Sequence, residues 1–197
     1  MQLKNSKTFE NLARAYAGEC MAKARYMFMQ YGARKQGLKY LASVIDTVVY
    51  NEFNHARMFY SFIQSADKKP IDKIELAADF PFKEKWDLCD NLRFAAEDEA
   101  KEAAETYPAL AAQARKEGFD DIAAQFDNVA GVENCHRMLF EDLYRQVSEG
   151  TLYKKPAPVK WKCADCGYEV TSAQAPSVCP LCQGAQGVFM LQLSDGN

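Results

Sequence analysis

Apolar residues recur along most of this chain at alternating steps of three and four, the spacing that stacks side chains on one face of an α-helix. Four stretches carry the pattern, roughly 6–34, 38–65, 84–116 and 119–149. Gly37 and Gly118 fall in the short gaps after the first and third stretches and suit helix stops. The gap between the second and third, about 66–83, is much longer and carries Pro70 and Pro81. Two short connections around one long one predict two antiparallel helix hairpins joined by a crossover. Beyond Gly150 the period stops. Lys154-Lys155-Pro156-Ala157-Pro158 reads as a short stiff linker, and the remainder of the chain is punctuated by Gly, Pro and Cys. The expected division is a helical domain over 1–150, a linker over 151–158 and a small domain over 159–197.

The seams say most where they break. The second stretch gives Leu41, Ile45, Val48, Glu52, His55, Phe59 and Phe62; the fourth gives Ile122, Phe126, Val129, Glu133, His136, Phe140 and Leu143. In both, Glu-x-x-His interrupts an apolar seam at its middle. The third stretch (Leu88, Leu92, Ala95, Glu99, Glu102, Thr106, Ala109) and the first (Leu12, Ala15, Glu19, Ala22, Tyr26, Met29, Ala33) also place acid at mid-length. Five carboxylates and two imidazoles therefore converge in the core.

Burying ionised carboxylates without compensation costs several kcal/mol each. Two divalent or trivalent cations offset them, and oxygen with imidazole donors suits iron or manganese. One Glu from each of two helices plus Glu-x-x-His from each of the other two is the ligand set of ferritin-like di-iron bundles. Glu19, Glu99, Glu52 with His55 and Glu133 with His136 supply it. A lone Glu-x-x-His means little, because polar pairs at that spacing are common on solvated faces. Here the chain has two His, both with Glu three residues earlier, and 14 Glu in 197 residues. Chance would produce that about one time in 200. Glu97, Asp98 and Glu105 fall off the third seam and read as solvated surface, whereas Glu102 shares the seam with Glu99.

Composition then narrows the class. A hydrophobic fraction of 48% with 26% charged residues fits a globular protein. Net charge is −3 with no basic stripe, which argues against nucleic acid as a partner. The stretch from Met1 to Thr8 lacks the apolar core of a signal peptide. Leu41 to Tyr50, the longest apolar stretch, is broken by Ser43, Asp46 and Thr47 and is too short to span a bilayer. A cytoplasmic protein with no membrane partner is expected.

Seven cysteines are present. Four form two CxxC pairs, Cys163 with Cys166 and Cys179 with Cys182; Cys20, Cys89 and Cys135 are scattered. An odd number without a secretion signal argues against a disulfide framework. Two facing CxxC knuckles supply a tetrahedral set of thiolates for zinc or a single iron. The spacing is strong for a metal and weak for which metal, since zinc ribbons share it. The context favours iron: Cys166-Gly167-Tyr168 and Cys179-Pro180-Leu181-Cys182, with Trp161 before and Phe189 after.

Taken in order, these residues resemble the rubrerythrin family over nearly the whole chain. Ala17-Gly18-Glu19 with Arg25-Tyr26 is similar to the family's first-helix motif. Glu52-x-x-His55, Glu99-x-x-Glu102 followed by Thr106-Tyr107-Pro108, and Glu133-x-x-His136 match in order and spacing. Trp161-Lys162-Cys163 through Ala175-Pro176 to Cys182 is similar to the family's rubredoxin-like domain. The resemblance implies a mainly α protein: a ferritin-like four-helix bundle plus a small C-terminal rubredoxin-like domain with short β-strands.

It further implies a peroxidase that reduces hydrogen peroxide to water in oxidative stress defence. Its cofactors would be two non-haem irons and one iron on four cysteines, for which zinc could substitute. Electrons would come from rubredoxin or an NAD(P)H-dependent reductase, and the chain would form a homodimer in which one subunit's cysteine site lies near the other's di-iron site. Glu102 would exchange with His55 on one iron as its oxidation state changes. Glu52 and Glu99 would bridge, with Glu19 and Glu133 terminal. Tyr26 and Tyr107 would hydrogen-bond the ligating carboxylates, unless they are ordinary core aromatics. Cys20 and Cys135 adjoin the ligands Glu19 and His136 but lie off the seams, which predicts a packing role.

The rival functions are a ferroxidase or iron-storage subunit, an oxygen-reducing di-iron oxidase, and a non-enzymatic protein with a zinc-ribbon tail. A dedicated electron-entry domain argues against storage. The density of acid in the seams argues against an oxidase with an open substrate pocket.

Overall fold

The computed structural model describes residues 2–85 and 87–191. Helix α1 (Lys7–Lys35) starts at Ser6, whose Oγ accepts the Phe9 N–H at 3.1 Å. Gly37, at φ +74°, turns the chain into α2 (Lys39–Ser65). Residues 66–85 then cross over without regular structure, and Ile71, Ile74 and Leu76 pack on the bundle as they go. Asp87 caps α3 (Leu88–Lys101), so this helix begins four residues later than its pattern suggests. After the segment Glu102–Thr106, α4 (Tyr107–Glu117) ends at Gly118, φ +83°, and α5 (Asp120–Ser148) completes the bundle. Hairpin α1–α2 packs beside α3, α4 and α5, as two short links around one long one require. No helix among the described residues is long and apolar enough to cross a membrane.

The seams of α1 and α5 are buried along their whole length. That of α2 holds as far as Phe59, after which Ile63 is the buried residue and Phe62 only half-buried. The third seam fails halfway. Thr106 and Ala109, expected inside, are exposed, and Tyr107, Ala111 and Ala114 are buried instead. The cause is a π-helical turn over Glu102–Thr106, in which the Tyr107 N–H donates to the Glu102 carbonyl, five residues back. Pro108, next in line, has no N–H to give Ala104 and its ring crowds that carbonyl. Widening the turn relieves both problems, and every later side chain rotates to a new face.

Two apolar clusters fill the bundle. One, at the α1–α2 turn end, includes Tyr26, Met29, Leu41, Ile45, Leu92 and Phe140. The other, at the far end, includes Leu12, Phe59, Tyr107, Phe126 and Val129. The acidic layer lies between these two plugs.

Strand β1 (Lys154–Cys163) lies between β2 (Glu169–Gln174) and β3 (Phe189–Leu191), antiparallel to both. Residues 154–158, expected as linker, thus belong to the sheet. Their pairing register shifts between Lys154 and Val159, where Pro156 and Pro158 cannot donate to a ladder. Trp161, Phe189 and Val188 form a separate small core with Cys163 and Cys179.

Candidate metal centres

Residues three apart on a helix share one face, so each Glu-x-x-His projects both groups to the same side. In α2 and α5 that side is the bundle axis. Glu19, Glu52, Glu99 and Glu133 are at most 2% exposed and His136 is 5% exposed; His55 is nearly as buried. The two imidazoles face each other at 6.0 Å between ring centres. His55 Nδ1 lies 3.2 Å from Glu52, 3.0 Å from Glu133 and 3.4 Å from Glu19. His136 Nδ1 lies 2.7 Å from Glu133, 3.1 Å from Glu52 and 3.9 Å from Glu99. Each imidazole thus sits beside its own Glu, the Glu of the opposite motif, and one Glu of a third helix. The arrangement is close to two-fold symmetric.

Ligand atoms of Glu19, Glu52, His55 and Glu133 all lie within 4.8 Å of one another, and so do those of Glu52, Glu99, Glu133 and His136. Glu52 and Glu133 belong to both sets. They would lie between two bound ions, with Glu19 and Glu99 at the outer ends. The expected bridging pair, Glu52 with Glu99, is therefore corrected. Both shared carboxylates come from the Glu-x-x-His helices, α2 and α5, which are neighbours in the bundle.

The layer fits cations and little else. One carboxylate oxygen on each of Glu19, Glu52, Glu99 and Glu133 is buried without a hydrogen-bond partner. A single Nδ1–H cannot serve three carboxylates, whereas a cation can. Burial, joined by the charges of Glu52 and Glu133, pushes the Glu19 and Glu99 carboxyls well above the usual range. For Glu52 burial works in the same direction, but His136 and His55 outweigh it and bring the carboxyl down to about 2. Burial likewise works against charge on the imidazoles, yet the surrounding carboxylates, Glu133 foremost, raise His55 to about 12 and His136 to about 9. Without metal the layer holds itself together with protons, which bound cations displace.

Tyr26 donates its hydroxyl to Glu99, and Tyr107 donates to Glu19. Both phenols are buried, so they act on the two outer carboxylates rather than merely filling the core. Asn51, not anticipated from the sequence, accepts at 3.4 Å from His136 Nε2 and leaves Nδ1 turned to the carboxylates. It lies beside Glu52 and off the seam, so periodicity gives no signal for it. Glu102 stands apart. It is half-buried in the π turn and belongs to neither ligand set, and burial, then the charges of Glu133 and Glu52, push it up to about 8. Cys20 is half-buried, but Cys135 is exposed, so no packing role falls to Cys135.

The second centre lies at the end of β1. The Sγ atoms of Cys163, Cys166, Cys179 and Cys182 lie within 4.8 Å of one another, with 3.7 Å from Cys163 to Cys182 and 3.6 Å from Cys166 to Cys179. A tetrahedron of metal–sulfur bonds near 2.3 Å has edges of about 3.8 Å, so this set needs almost no adjustment to close on a metal. Two backbone knuckles hold it. Cys163 and Tyr168 pair through N–H to carbonyl at 2.8 Å, with Gly167 at φ +77°; Cys179 and Gly184 pair at 2.7 Å, with Gln183 at φ +61°. Burial pushes the Cys179 thiol up, but the N–H groups of Cys182 and Leu181 outweigh it and bring the thiol down to about 7, toward the ligating thiolate.

Comparison with known proteins agrees with this construction. The profile described as Rubrerythrin matches residues 10–144, and the rubredoxin-like domain of rubrerythrin matches 161–190. The chain is 38% identical over 187 residues to a rubrerythrin of Clostridium perfringens, covering 95% of each chain. It is 36% identical to a rubrerythrin of Porphyromonas gingivalis, over 95% of this chain and 90% of that one. Mixed-valent nigerythrin shares the fold with a TM-score of 0.62 at 22% identity, over 98% of this chain and 94% of that one. The bacterioferritin of Desulfovibrio desulfuricans, described with its di-iron site in different catalytic states, shares the bundle with a TM-score of 0.60 at 19% identity. It spans 73% of this chain and 81% of that one. The carboxylate–histidine layer fits the di-iron site of that family and the four cysteines fit its rubredoxin-like iron site. With both halves matched in order and the relatives covered almost end to end, this chain belongs to the rubrerythrin family, a family of di-iron oxidoreductases.

Proposed function

We propose that the chain is a peroxidase that takes hydrogen peroxide, two electrons and two protons to two molecules of water. The observation that carries this reading is the pairing, in one chain, of a buried carboxylate–histidine layer with a four-cysteine electron-entry site. Iron bound by the carboxylate–histidine layer would supply the two electrons, and iron bound by the four cysteines would return them one at a time.

The protein's own groups set the rest. Glu19, Glu52, His55, Glu99, Glu133 and His136 hold the metals, and Cys163, Cys166, Cys179 and Cys182 hold the single iron. The apolar plugs on either side exclude bulk water from the reacting layer. Tyr26 and Tyr107 fix the outer carboxylates through their hydroxyl donors. Glu102, outside both ligand sets on a widened helical turn, is the proposed replacement for His55 as a ligand. His55 suits exchange because its Nε2 has no hydrogen-bond partner among the described residues, whereas His136 is tethered by Asn51.

Rubredoxin or an NAD(P)H-dependent reductase is the proposed donor, in a reducing cytoplasm that keeps all seven cysteines unpaired. Two chains are proposed to pair. Within one chain the cysteine domain rests on the α1–α2 turn, about 20 Å along α2 from Glu52 at 1.5 Å per residue, and the proposed pairing would bring a partner's cysteine site closer to the acidic layer. The likeness to bacterioferritin favours iron oxidation as the second reading. Stopped-flow mixing of the reduced, iron-loaded protein separates the two: the peroxidase oxidises faster with peroxide than with oxygen, and a ferroxidase turns over ferrous iron and oxygen faster.

A further inference from the structure

The cysteine domain does not hang from a loose tether. Tyr153 packs on both the bundle core and the small core and points its hydroxyl at the Gly187 carbonyl, 3.4 Å away. Lys155 donates to Gln146 of α5 at 2.6 Å. The closest approach is backbone to backbone. Gly187 lies against the α1–α2 turn so tightly that an added Cβ would overlap the Gly37 carbonyl oxygen, and would stand 2.8 Å from its carbon and 3.2 Å from Leu38 Cα. No side chain fits there, and the obstacle is main chain that cannot swing aside. Gly37 is itself held at φ +74° by the helix stop, so the turn cannot yield cheaply.

The seat has an electrostatic result. Lys39, in the first turn of α2, directly follows the Gly37-Leu38 turn. Its Nζ lies 2.7 Å from Asp165 Oδ2. Asp165 sits inside the first knuckle, between Cys163 and Cys166. Docking therefore brings a bundle cation to the one acidic side chain within either CxxC knuckle.

We propose that Gly187 and Lys39 are positioning residues for electron entry: the Gly187 seat holds Lys39 on Asp165, and the docked cation raises the reduction potential of the four-cysteine iron. Reduction adds one electron from the external donor, changes ferric to ferrous iron with no bond made or broken, and deepens the centre's net negative charge. A cation held nearby favours the more negative state. An undocked domain loses that cation and keeps Asp165 uncompensated, which makes the centre harder to reduce. This rests on the reading of the cysteines as an iron site.

The test is a spectroelectrochemical titration of the visible band of full-length, iron-loaded protein at low and high salt, with limited proteolysis of the 149–153 stretch alongside. Lys39→Ala is expected to lower the midpoint potential, Lys39→Glu to lower it further, and salt to shrink both shifts, since the pair is half-exposed. Gly187→Ala is expected to lower the potential in the same direction and to speed cleavage, which Lys39→Ala leaves near wild type. Unchanged potentials in both Lys39 variants overturn the proposal. So does Gly187→Ala that is cleaved faster at an unchanged potential, or that is neither cleaved faster nor shifted. Should Gly187→Ala yield no coloured centre, the Lys39 pair alone decides. Colourless wild-type protein contradicts the iron reading itself, an outcome distinct from red protein with immovable potentials.

Discussion

The two metal-binding regions reach the same end by opposite means. In the bundle, metal ligands are a charged layer set between two apolar clusters, each large enough to hold helices together without it. In the C-terminal domain, two of the four ligands, Cys163 and Cys179, are themselves part of a core of six buried residues. A domain of about 40 residues seldom buries enough surface to fold unaided. The bundle is therefore expected to tolerate its metals' absence at a cost, and the small domain to need its metal to fold. Metal is a functional insert in one region and a structural element in the other.

The sharpest break of that contrast is Cys179→Ser. It should abolish the visible band and unfold residues 154–191, seen as loss of their dispersed amide NMR signals, while the helical circular dichroism of the bundle stays near wild type. Melting of the helices along with the small domain would erase the distinction. Chelation of the bundle metals comes next. At a thousandfold excess over Kd, bound metal contributes about 4 kcal/mol of stability, or roughly 10 °C in Tm for a chain this size. The metal-free bundle should therefore stay helical but melt lower. Because His55 and His136 sit at about 12 and 9 in the metal-free layer, both carry protons at neutral pH and must release them on loading. Affinity should rise with pH, more steeply below about 9 than above it because His55 still holds its proton there, and calorimetry in buffers of different ionisation enthalpy should register proton release at pH 7.

Smaller effects refine the picture inside the bundle. Glu102→Ala should keep the fold and both metal centres while lowering peroxide turnover by about 10- to 100-fold. Unchanged turnover removes Glu102 from the mechanism. Tyr26→Phe leaves the buried Glu99 oxygen without its donor and should cost about 1–2 kcal/mol in thermal stability, with a shift in the ultraviolet–visible spectrum of the iron pair. An unshifted spectrum would reduce Tyr26 to packing.

The sequence made the bundle legible because helical periodicity and buried acid are both visible in one dimension. The seams of α1 and α5 hold along their full length. Legibility ended where the period changed. The reading past Glu102 assumed 3.6 residues per turn, and the π turn moved Thr106 outward and Tyr107 inward. Pro108 was the available warning. A seam says which residues face inward and not which of them lie nearest the axis, so the membership of Glu52 and Glu133 in both ligand sets depends on helix placement in three dimensions. Lys154–Pro158 read as linker because prolines argue against a strand, and the shifted register that accommodates them has no sequence signature. Asn51 and the Gly187 seat are products of tertiary contact and leave no periodic trace.

The acidic layer is, above all, a binding site for two cations. The most direct measurement is a crystal structure of the iron-loaded protein with anomalous diffraction at the iron edge. Two anomalous peaks flanking the Glu52 and Glu133 carboxylates are expected, and a third amid the four cysteine sulfurs. A bundle with no anomalous density in that layer, its glutamates turned out to solvent, would contradict that reading.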